Sequence, residues 1–159
     1  MGNPGQNAAS PARKTKIRIE QIDFSYSDDP KEMKVIDDFN LNVYDQEFLS
    51  IVGASGCGKS TLLSIVAGLL PATDGRVYLD DQIIERPGPD RAMVFQDDAV
   101  FPWYTVRQNI EYGLKMQNNP AQDIKETVNH YLELVSLKDS QDLFPRQLSG
   151  GMRKRVDVA

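Results

Sequence analysis

The sequence predicts an α/β domain that continues into a mainly helical region, and three observations carry this prediction. A glycine-rich loop stands between an apolar segment of strand type and a segment whose apolar residues recur at helical spacing. Alternating apolar residues precede that loop, which is typical of strands exposed on one face. From residue 106 onward, helix-type periodicity replaces the strand signals. With 159 residues, 40% of them apolar, the chain is long enough to bury one packed core.

Two half-exposed strands are expected before the loop. Apolar residues alternate over residues 17–22, in a strand that should end near Tyr26, and again over residues 39–43. Residues 1–15 are rich in Gly, Pro, Ala, Asn and Ser, so we expect a disordered tail there.

The glycine-rich loop fits the pattern G-x-x-x-x-G-K-[ST] and is called the phosphate loop below. Its residues are Gly53, Ala54, Ser55, Gly56, Cys57, Gly58, Lys59, Ser60 and Thr61. Glycines let successive N–H groups point inward around phosphate oxygens, and the helix that follows presents its positive end to the same anion. Lys59 should reach the β- and γ-phosphates, and the Ser60 hydroxyl should ligate Mg²⁺. The alternative is a chance glycine-rich turn, which the strand–loop–helix context disfavours.

The segments around the loop supply that context. Residues 47–52 are predicted to be a buried strand that enters the loop, and the apolar residues within 62–70 predict the helix that leaves it. A further buried strand is predicted at residues 91–95, leading to Gln96.

A strand at residues 76–79 is followed by Asp80 and Asp81. An apolar strand that ends in carboxylates is typical of the Mg²⁺-binding strand of nucleotide hydrolases. Strand-like residues 82–84 follow at once, however, so a hairpin with a tight turn is the favoured interpretation.

Two helices are predicted at residues 106–116 and 121–135. His130 falls on the polar side of the second helix, and we assign it no catalytic role. The predicted organisation is a tail at 1–15, the first part of an α/β core at 16–105 and a helical subdomain at 106–159.

Charge and composition exclude several partners. The net charge of −5 argues against a nucleic-acid partner, because phosphate neutralisation needs a basic face. The single cysteine, Cys57, allows no internal disulfide and favours a reducing compartment. The longest mostly apolar run, residues 62–70, is far shorter than the ~20 residues that span a bilayer, and residues 1–15 lack a signal-peptide core. We therefore expect a cytoplasmic protein whose membrane role, if any, comes through a partner.

A second glycine motif, the signature segment of residues 147–152, reads Gln-Leu-Ser-Gly-Gly-Met. Ser149 and the two glycines after it would open a helix whose free N–H groups form another anion-binding end. With the phosphate loop and Gln96 between the two, the chain resembles ATP-binding-cassette (ABC) proteins, whose signature is L-S-G-G-Q; here Met152 replaces the Gln. The resemblance implies a P-loop NTPase core with an N-terminal antiparallel β subdomain and a mainly helical subdomain.

The resemblance also implies roles for particular residues. Lys59 and Gln96 would be catalytic, Gln96 would join Ser60 at Mg²⁺ or touch the attacking water, and Tyr26 would stack on adenine. The phosphate loop would bind ATP of its own subunit. A second ATPase subunit would pack head to tail, so that the residues that bind nucleotide in trans are Ser149, Gly150 and Gly151.

Residues 86–91 and 101–107 resemble the ATPase subunits of nitrate, sulfonate and taurine importers. Those subunits usually carry Leu-Pro-Trp at residues 101–103 and Gln at Lys154. The resemblance implies ATP-driven uptake of a small anion and a position on the cytoplasmic face of the membrane. It implies contact of residues 98–103 with permease subunits, and indirect dependence on an extracytoplasmic solute-binding protein.

The family pattern continues beyond the signature helix to a strand ending in Asp-Glu and a switch histidine, whereas this sequence stops at Ala159. We therefore expect this sequence to be a fragment that lacks the general base and is inactive alone. The full-length protein is expected to be an ATPase. Two alternatives remain: a non-transport cassette ATPase acting on DNA or ribosomes, and a module that binds ATP or permease without turnover.

Overall fold

The computed structural model describes residues 13–27 and 34–159. They form two compact units, the first ending at Ala92 and the second beginning at Met93. The predicted boundary after residue 105 differs from this division, and the functional organisation into tail, core and helical subdomain stays a prediction. No helix in the described ranges is long and apolar enough to cross a membrane.

The first unit contains a four-stranded antiparallel sheet and one helix. The strands are β1 (Thr15–Phe24), β2 (Ile36–Tyr44), β3 (Asp74–Leu79) and β4 (Gln82–Ile83), in the order β2-β1-β3-β4. Helix α1 (Lys59–Val66) follows the phosphate loop. The two half-exposed strands and the helix predicted after the loop are present, although α1 ends before Leu70.

The core of the first unit lies between β1 and α1. Ile19 and Ile22 are both buried although they are three residues apart, because Gln21 between them has a φ of 51° and the strand register shifts there. They pack in one cluster with Leu62 and Ile65 of α1. Burying each such side chain stabilises the fold by roughly 1.5–3 kcal/mol, so this cluster fixes α1 and the loop before it.

The predicted hairpin after β3 is present. Asp80 and Asp81 have φ values of 47° and 64°, as a two-residue hairpin turn requires, and Tyr78 pairs with Ile83 across it. Hydrogen bonds from Lys16 and Lys14 to the Asp80 carboxylate lower the pKa of Asp80. The Asp80 carboxylate is therefore paired with two lysine side chains.

Three sequence predictions in the first part of the chain were wrong or lie outside the described residues. Residues 47–52 and 91–95 form no strand, and the side chain of Phe48 is 93% exposed. A buried strand needs a partner for its backbone N–H and C=O groups, and the described sheet places none beside these segments. Of the predicted tail, residues 1–12 lie outside the described residues, whereas Thr15 already belongs to β1.

The second unit is helical. It contains α2 (Val106–Met116), α3 (Ala121–Leu134) and α4 (Gly150–Val158), with single 3-10 turns at Lys138–Ser140 and Pro145–Gln147. The start of α2 is fixed by a capping box, in which Thr105 and Gln108 satisfy each other's backbone N–H groups.

The core of the second unit contains apolar side chains of all three helices and shares no member with the core of the first. Its fully buried members include Val106, Val128 and Leu132. His130 is exposed, as the helical periodicity predicted.

Candidate functional site

The phosphate loop turns sharply into α1 at Gly58. This residue has a φ of 91° and is the N-cap of the helix. A Cβ at this position would lie 3.1 Å from the carbonyl oxygen of Val35 and 3.2 Å from its Cγ1. The left-handed backbone and the close packing both favour glycine at this position. The turn at Gly58 places the first N–H groups of α1 next to the phosphate loop.

Lys59 spans the loop. Its Nζ donates to the carbonyl oxygens of Gly53 at 2.9 Å and Ala54 at 2.7 Å, and lies 3.5 Å from the Sγ of Cys57. The ammonium group therefore lies against the backbone of the phosphate loop. Phosphate oxygens are stronger acceptors than carbonyls because they are charged, so this position suits an anion at the loop.

Tyr26, two residues after the end of β1, contacts the helix that follows the phosphate loop. The hydroxyls of Tyr26 and Thr61 share a hydrogen bond of 2.9 Å, and the Tyr26 ring meets Phe24 edge-on at 4.9 Å between centroids. Thr61 is buried, whereas Tyr26 is 71% exposed. The Tyr26 ring is thereby held next to α1 while most of its surface stays open to solvent.

These groups line one cleft of about 240 Å³. Its lining residues are Tyr26, Val35, Gly56, Gly58, Lys59, Ser60 and Thr61. An aromatic ring, a helix N-terminus and a lysine fit a nucleotide, which carries a π-face at one end and anionic oxygens at the other.

The Mg²⁺ fit depends on Ser60. Its side chain is exposed in the first turn of α1, where a hydroxyl can serve as one oxygen ligand. Among the described residues, no group of three or more His, Cys, Asp and Glu side chains could hold a metal. Mg²⁺ commonly takes one or two protein ligands and completes its shell with phosphates and water, so the residues present fit a nucleotide-bound ion.

The signature segment lies in the second unit, at the start of α4. Ser149 is the N-cap, and its Oγ accepts a hydrogen bond of 3.2 Å from the Met152 N–H. A Cβ at Gly151 would meet nothing within 4 Å, and one at Gly150 would meet only a guanidinium nitrogen at 3.8 Å. A side chain at either glycine would therefore find room.

Gln96 is exposed, and the segment that carries it is bound to α4. Nζ of Lys154 donates to the carbonyls of Phe95 at 2.9 Å and Asp97 at 2.6 Å, and Arg153 pairs with the Asp98 carboxylate. The sequence reasoning named Lys154 only as a departure from related importers and missed these contacts. The structure thus groups Tyr26 with the phosphate loop in one unit, and Gln96 with the signature helix in the other.

A cluster of aromatic rings follows the Gln96 segment. Phe101 lies 4.6 Å from Tyr112, 5.6 Å from Tyr104 and 5.7 Å from Trp103, between ring centroids. Asn109 binds the backbone beneath the cluster, since its Oδ1 accepts from the Phe101 N–H at 2.7 Å. Trp103 is 65% exposed, so it is not a core aromatic of the second unit.

Fold and loop together define a nucleotide-binding domain of the P-loop NTPase class. The family model described as ABC transporter matches residues 36–159, and the chain belongs to that family.

Solved structures agree with this assignment. A dimeric ATP-binding cassette in a post-hydrolysis state, bound to ADP and Pi, superposes with a TM-score of 0.78 at 27% identity, covering 89% of this chain and 67% of that one. The ABC transporter subunit cbiO1 of Clostridium perfringens gives a TM-score of 0.76 at 26% identity, over 91% and 60% of the two chains.

Curated relatives carry several names. An uncharacterised ABC transporter ATP-binding protein of Methanocaldococcus jannaschii is 40% identical over 92% of this chain and 55% of its own length. The nitrate import ATP-binding protein NrtD of Synechocystis is 48% identical over 76% and 45%. The sn-glycerol-3-phosphate import ATP-binding protein UgpC of Bartonella bacilliformis is 48% identical over 88% and 41%. These relatives support membership of the ABC transporter family, but they do not single out the nitrate importers. The chain spans about half the length of these relatives.

Proposed function

We propose that this chain is the ATP-binding part of an importer ATPase that couples ATP binding and hydrolysis to uptake of a small anion. The observation that carries the proposal is the cleft in which Tyr26, Lys59 and the N-terminus of α1 converge. Such a cleft offers separate surfaces to a base and to phosphates.

In this proposal Tyr26 stacks on adenine and the phosphate loop holds the phosphates. Lys59 neutralises charge on the β- and γ-phosphates, which grows as the phosphoryl group is transferred. Ser60 would hold Mg²⁺, which would supply further charge neutralisation when bound. From the family resemblance we propose that Gln96 acts at Mg²⁺ or at the attacking water. Hydrolysis is a property proposed for the whole protein, because the chain spans about half the length of its curated relatives.

The signature segment serves a second nucleotide. Ser149 is the N-cap of α4, and Gly150 and Gly151 begin its first turn, so a hydroxyl and free N–H donors lie at this helix end. We propose that they contact ATP held by the phosphate loop of a second ATPase subunit in a head-to-tail dimer. This arrangement accounts for two anion-binding helix ends within one chain.

The exposed part of the aromatic cluster is our candidate contact with permease subunits. Residues 98–103 carry Trp103, and an exposed tryptophan beside other rings is typical of a binding surface. The proposed location is the cytoplasmic face of the membrane, where the ATPase acts with the permease and, indirectly, with an extracytoplasmic solute-binding protein.

The proposed solute class is a small anion such as nitrate, a sulfonate or taurine. Two of the relatives are named for import of nitrate and of sn-glycerol-3-phosphate, which are both anions. Reconstitution with the membrane subunits would test this, because ATP turnover should rise only when the solute-binding protein is loaded with one of these anions. Co-purification of the ATPase with nucleic acid and not with permease would contradict the proposal.

The ATP site itself is tested by Lys59→Ala. Each charge-assisted hydrogen bond contributes roughly 1.5–3 kcal/mol, so losing one phosphate contact should weaken binding about 10- to 100-fold. Equilibrium titration with a fluorescent ATP analogue measures this. Lys125→Ala, at an exposed position of α3, is the control and should bind like wild type. Equal affinity of the two variants would remove Lys59 from its assigned role.

A further inference from the structure

Lys154 has an unusual set of partners for a lysine on a helix surface. Its Nζ donates to Phe95 O at 2.9 Å, to Asp97 O at 2.6 Å and to Asp157 Oδ2 at 3.0 Å. An ammonium group has three donors, and these three contacts use all of them. The two carbonyls flank Gln96, so Lys154 holds the backbone on both sides of that residue.

Asp157 completes the arrangement from one turn further along α4. Its side chain is only 3% exposed, and its Oδ1 accepts a hydrogen bond of 3.1 Å from the Ala99 N–H. A buried carboxylate needs such partners, and here they are Lys154 and the backbone of the Gln96 segment. Asp157 therefore orients the ammonium and binds the segment itself.

Arg153 adds a third connection, since its guanidinium pairs with the Asp98 carboxylate and donates to Leu148 O at 2.8 Å. Asp157 lies three positions after Lys154 and four positions after Arg153, so it is a neighbour of both on the surface of α4. Segment 95–99 is thus attached to the helix that begins with the signature glycines.

We propose that Lys154 and Asp157 are positioning residues that lock the Gln96 backbone to the signature helix, so that displacement of α4 displaces Gln96 with it. The inference rests on the proposed function, in which Gln96 acts at Mg²⁺ or the attacking water. Related importer subunits usually carry Gln at the position of Lys154. A Gln amide has only two N–H donors and no charge, so it can neither make all three contacts of Lys154 nor balance the buried Asp157 charge.

An ordinary surface ion pair is the competing explanation, and the chain provides a matched control for it. Lys115, whose side chain is 54% exposed, pairs with Glu111 at 2.6 Å within α2, an ordinary i,i+4 contact between helix side chains. Lys154→Gln and Lys115→Gln each remove one lysine charge from a helix. Only the first removes contacts to the backbone around Gln96.

The first experiment measures local order in the protein as expressed. Hydrogen exchange followed by mass spectrometry should show faster exchange over residues 95–99 in Lys154→Gln and Asp157→Asn, and no change there in Lys115→Gln. Trp103 is the only tryptophan of the chain, so acrylamide quenching of its fluorescence gives an independent report close to the segment. Unchanged exchange and unchanged quenching in both variants would overturn the inference.

The second experiment measures steady-state ATP turnover of the full-length protein. A displaced reacting group costs on the order of 10- to 100-fold in rate, so Lys154→Gln should lower kcat by that range while KM for ATP stays within about threefold. The Mg²⁺ concentration for half-maximal turnover should rise, which a simple loss of folded protein would not cause. Lys154→Arg should restore both, because a guanidinium can bind the same carbonyls and the same carboxylate.

The outcomes separate the two proposals. A Lys154→Gln enzyme with faster exchange but wild-type kcat and Mg²⁺ requirement would overturn the positioning role. Failure of the wild-type protein to bind ATP would instead overturn the proposed function, and the exchange data would still decide whether Lys154 anchors the segment.

Discussion

Replacing Gly58 and Gly113 by alanine should change stability in opposite directions. At Gly58, alanine must adopt a φ of 91°, which costs about 1–2 kcal/mol for an L-residue. Its Cβ would also press on Val35 O at 3.1 Å and on Ile36 Cγ1 at 3.3 Å, so neighbouring atoms must shift. At Gly113, inside α2, the added Cβ meets nothing within 4 Å, and alanine gains about 0.5–1 kcal/mol over glycine in a helix.

Thermal melts followed by circular dichroism measure both effects. For a chain of this size, 1 kcal/mol moves Tm by roughly 2–4 °C. Gly58→Ala should lower Tm by about 2–8 °C, and Gly113→Ala should raise it by about 1–4 °C. Gly58→Ala should also weaken ATP-analogue binding, since it moves the first N–H groups of α1. A melt in which both substitutions have the same sign would refute the assigned backbone geometry.

Three further predictions concern Tyr26, Cys57 and Asp23. Tyr26→Phe removes the hydrogen bond to the Thr61 hydroxyl and should cost about 0.5–1.5 kcal/mol of stability while leaving most of the ATP affinity. Tyr26→Ala should also lose the surface that stacks on adenine and with it ATP affinity. Nucleotide titration and urea unfolding of both variants distinguish the two contributions. Exposed Cys57 should react with a small maleimide, and saturating Mg-ATP should slow the reaction because the adduct would occupy the phosphate loop; equal labelling rates with and without nucleotide would contradict the placement of Cys57. Hydrogen bonds from the Asp38 N–H and from Lys34 lower the pKa of Asp23 below its ordinary 3.8. The ionised Asp23 carboxylate therefore stabilises the fold above that pH, and this contribution is lost as the pH falls through the folded-state pKa. Asp23→Asn should flatten the acid side of a stability–pH curve, and an unchanged curve would exclude this linkage.

The helices and the hairpin were predictable because their signals are local. Thr105 and Gln108 cap α2 within four residues of sequence, and the apolar stripe of α3 is read directly from its 3.6-residue period. At the hairpin, Asp80 and Asp81 tolerate positive φ between two strand-like segments.

The strand predictions at residues 47–52 and 91–95 failed because apolar composition does not specify a partner. A run such as Phe48-Leu49-Ser50-Ile51-Val52 is typical of a buried strand, yet it becomes one only when another strand satisfies its backbone. Pairing is a property of the assembled sheet, and no pattern within the run encodes it.

The contacts of Lys154 were missed for a related reason. The lysine is separated from Phe95 by 59 positions, and nothing in its immediate sequence indicates which backbone it will bind. Its departure from the residue that related importers usually carry was the one available signal. The buried charge of Asp157 gave no sequence signal, because a carboxylate near a helix end is ordinary.

If Ser149 contacts a second nucleotide as proposed, it meets two requirements at once. As an N-cap it needs an acceptor for the Met152 N–H, and Asp and Asn satisfy this as well as Ser does. A hydroxyl that accepts there still has its proton to donate, whereas an ionised aspartate accepts only and would repel a phosphate. N-cap preference alone therefore leaves Ser, Asp and Asn interchangeable at this position, and the proposed contact with a phosphate, which needs a donor, narrows the choice to a hydroxyl or an amide.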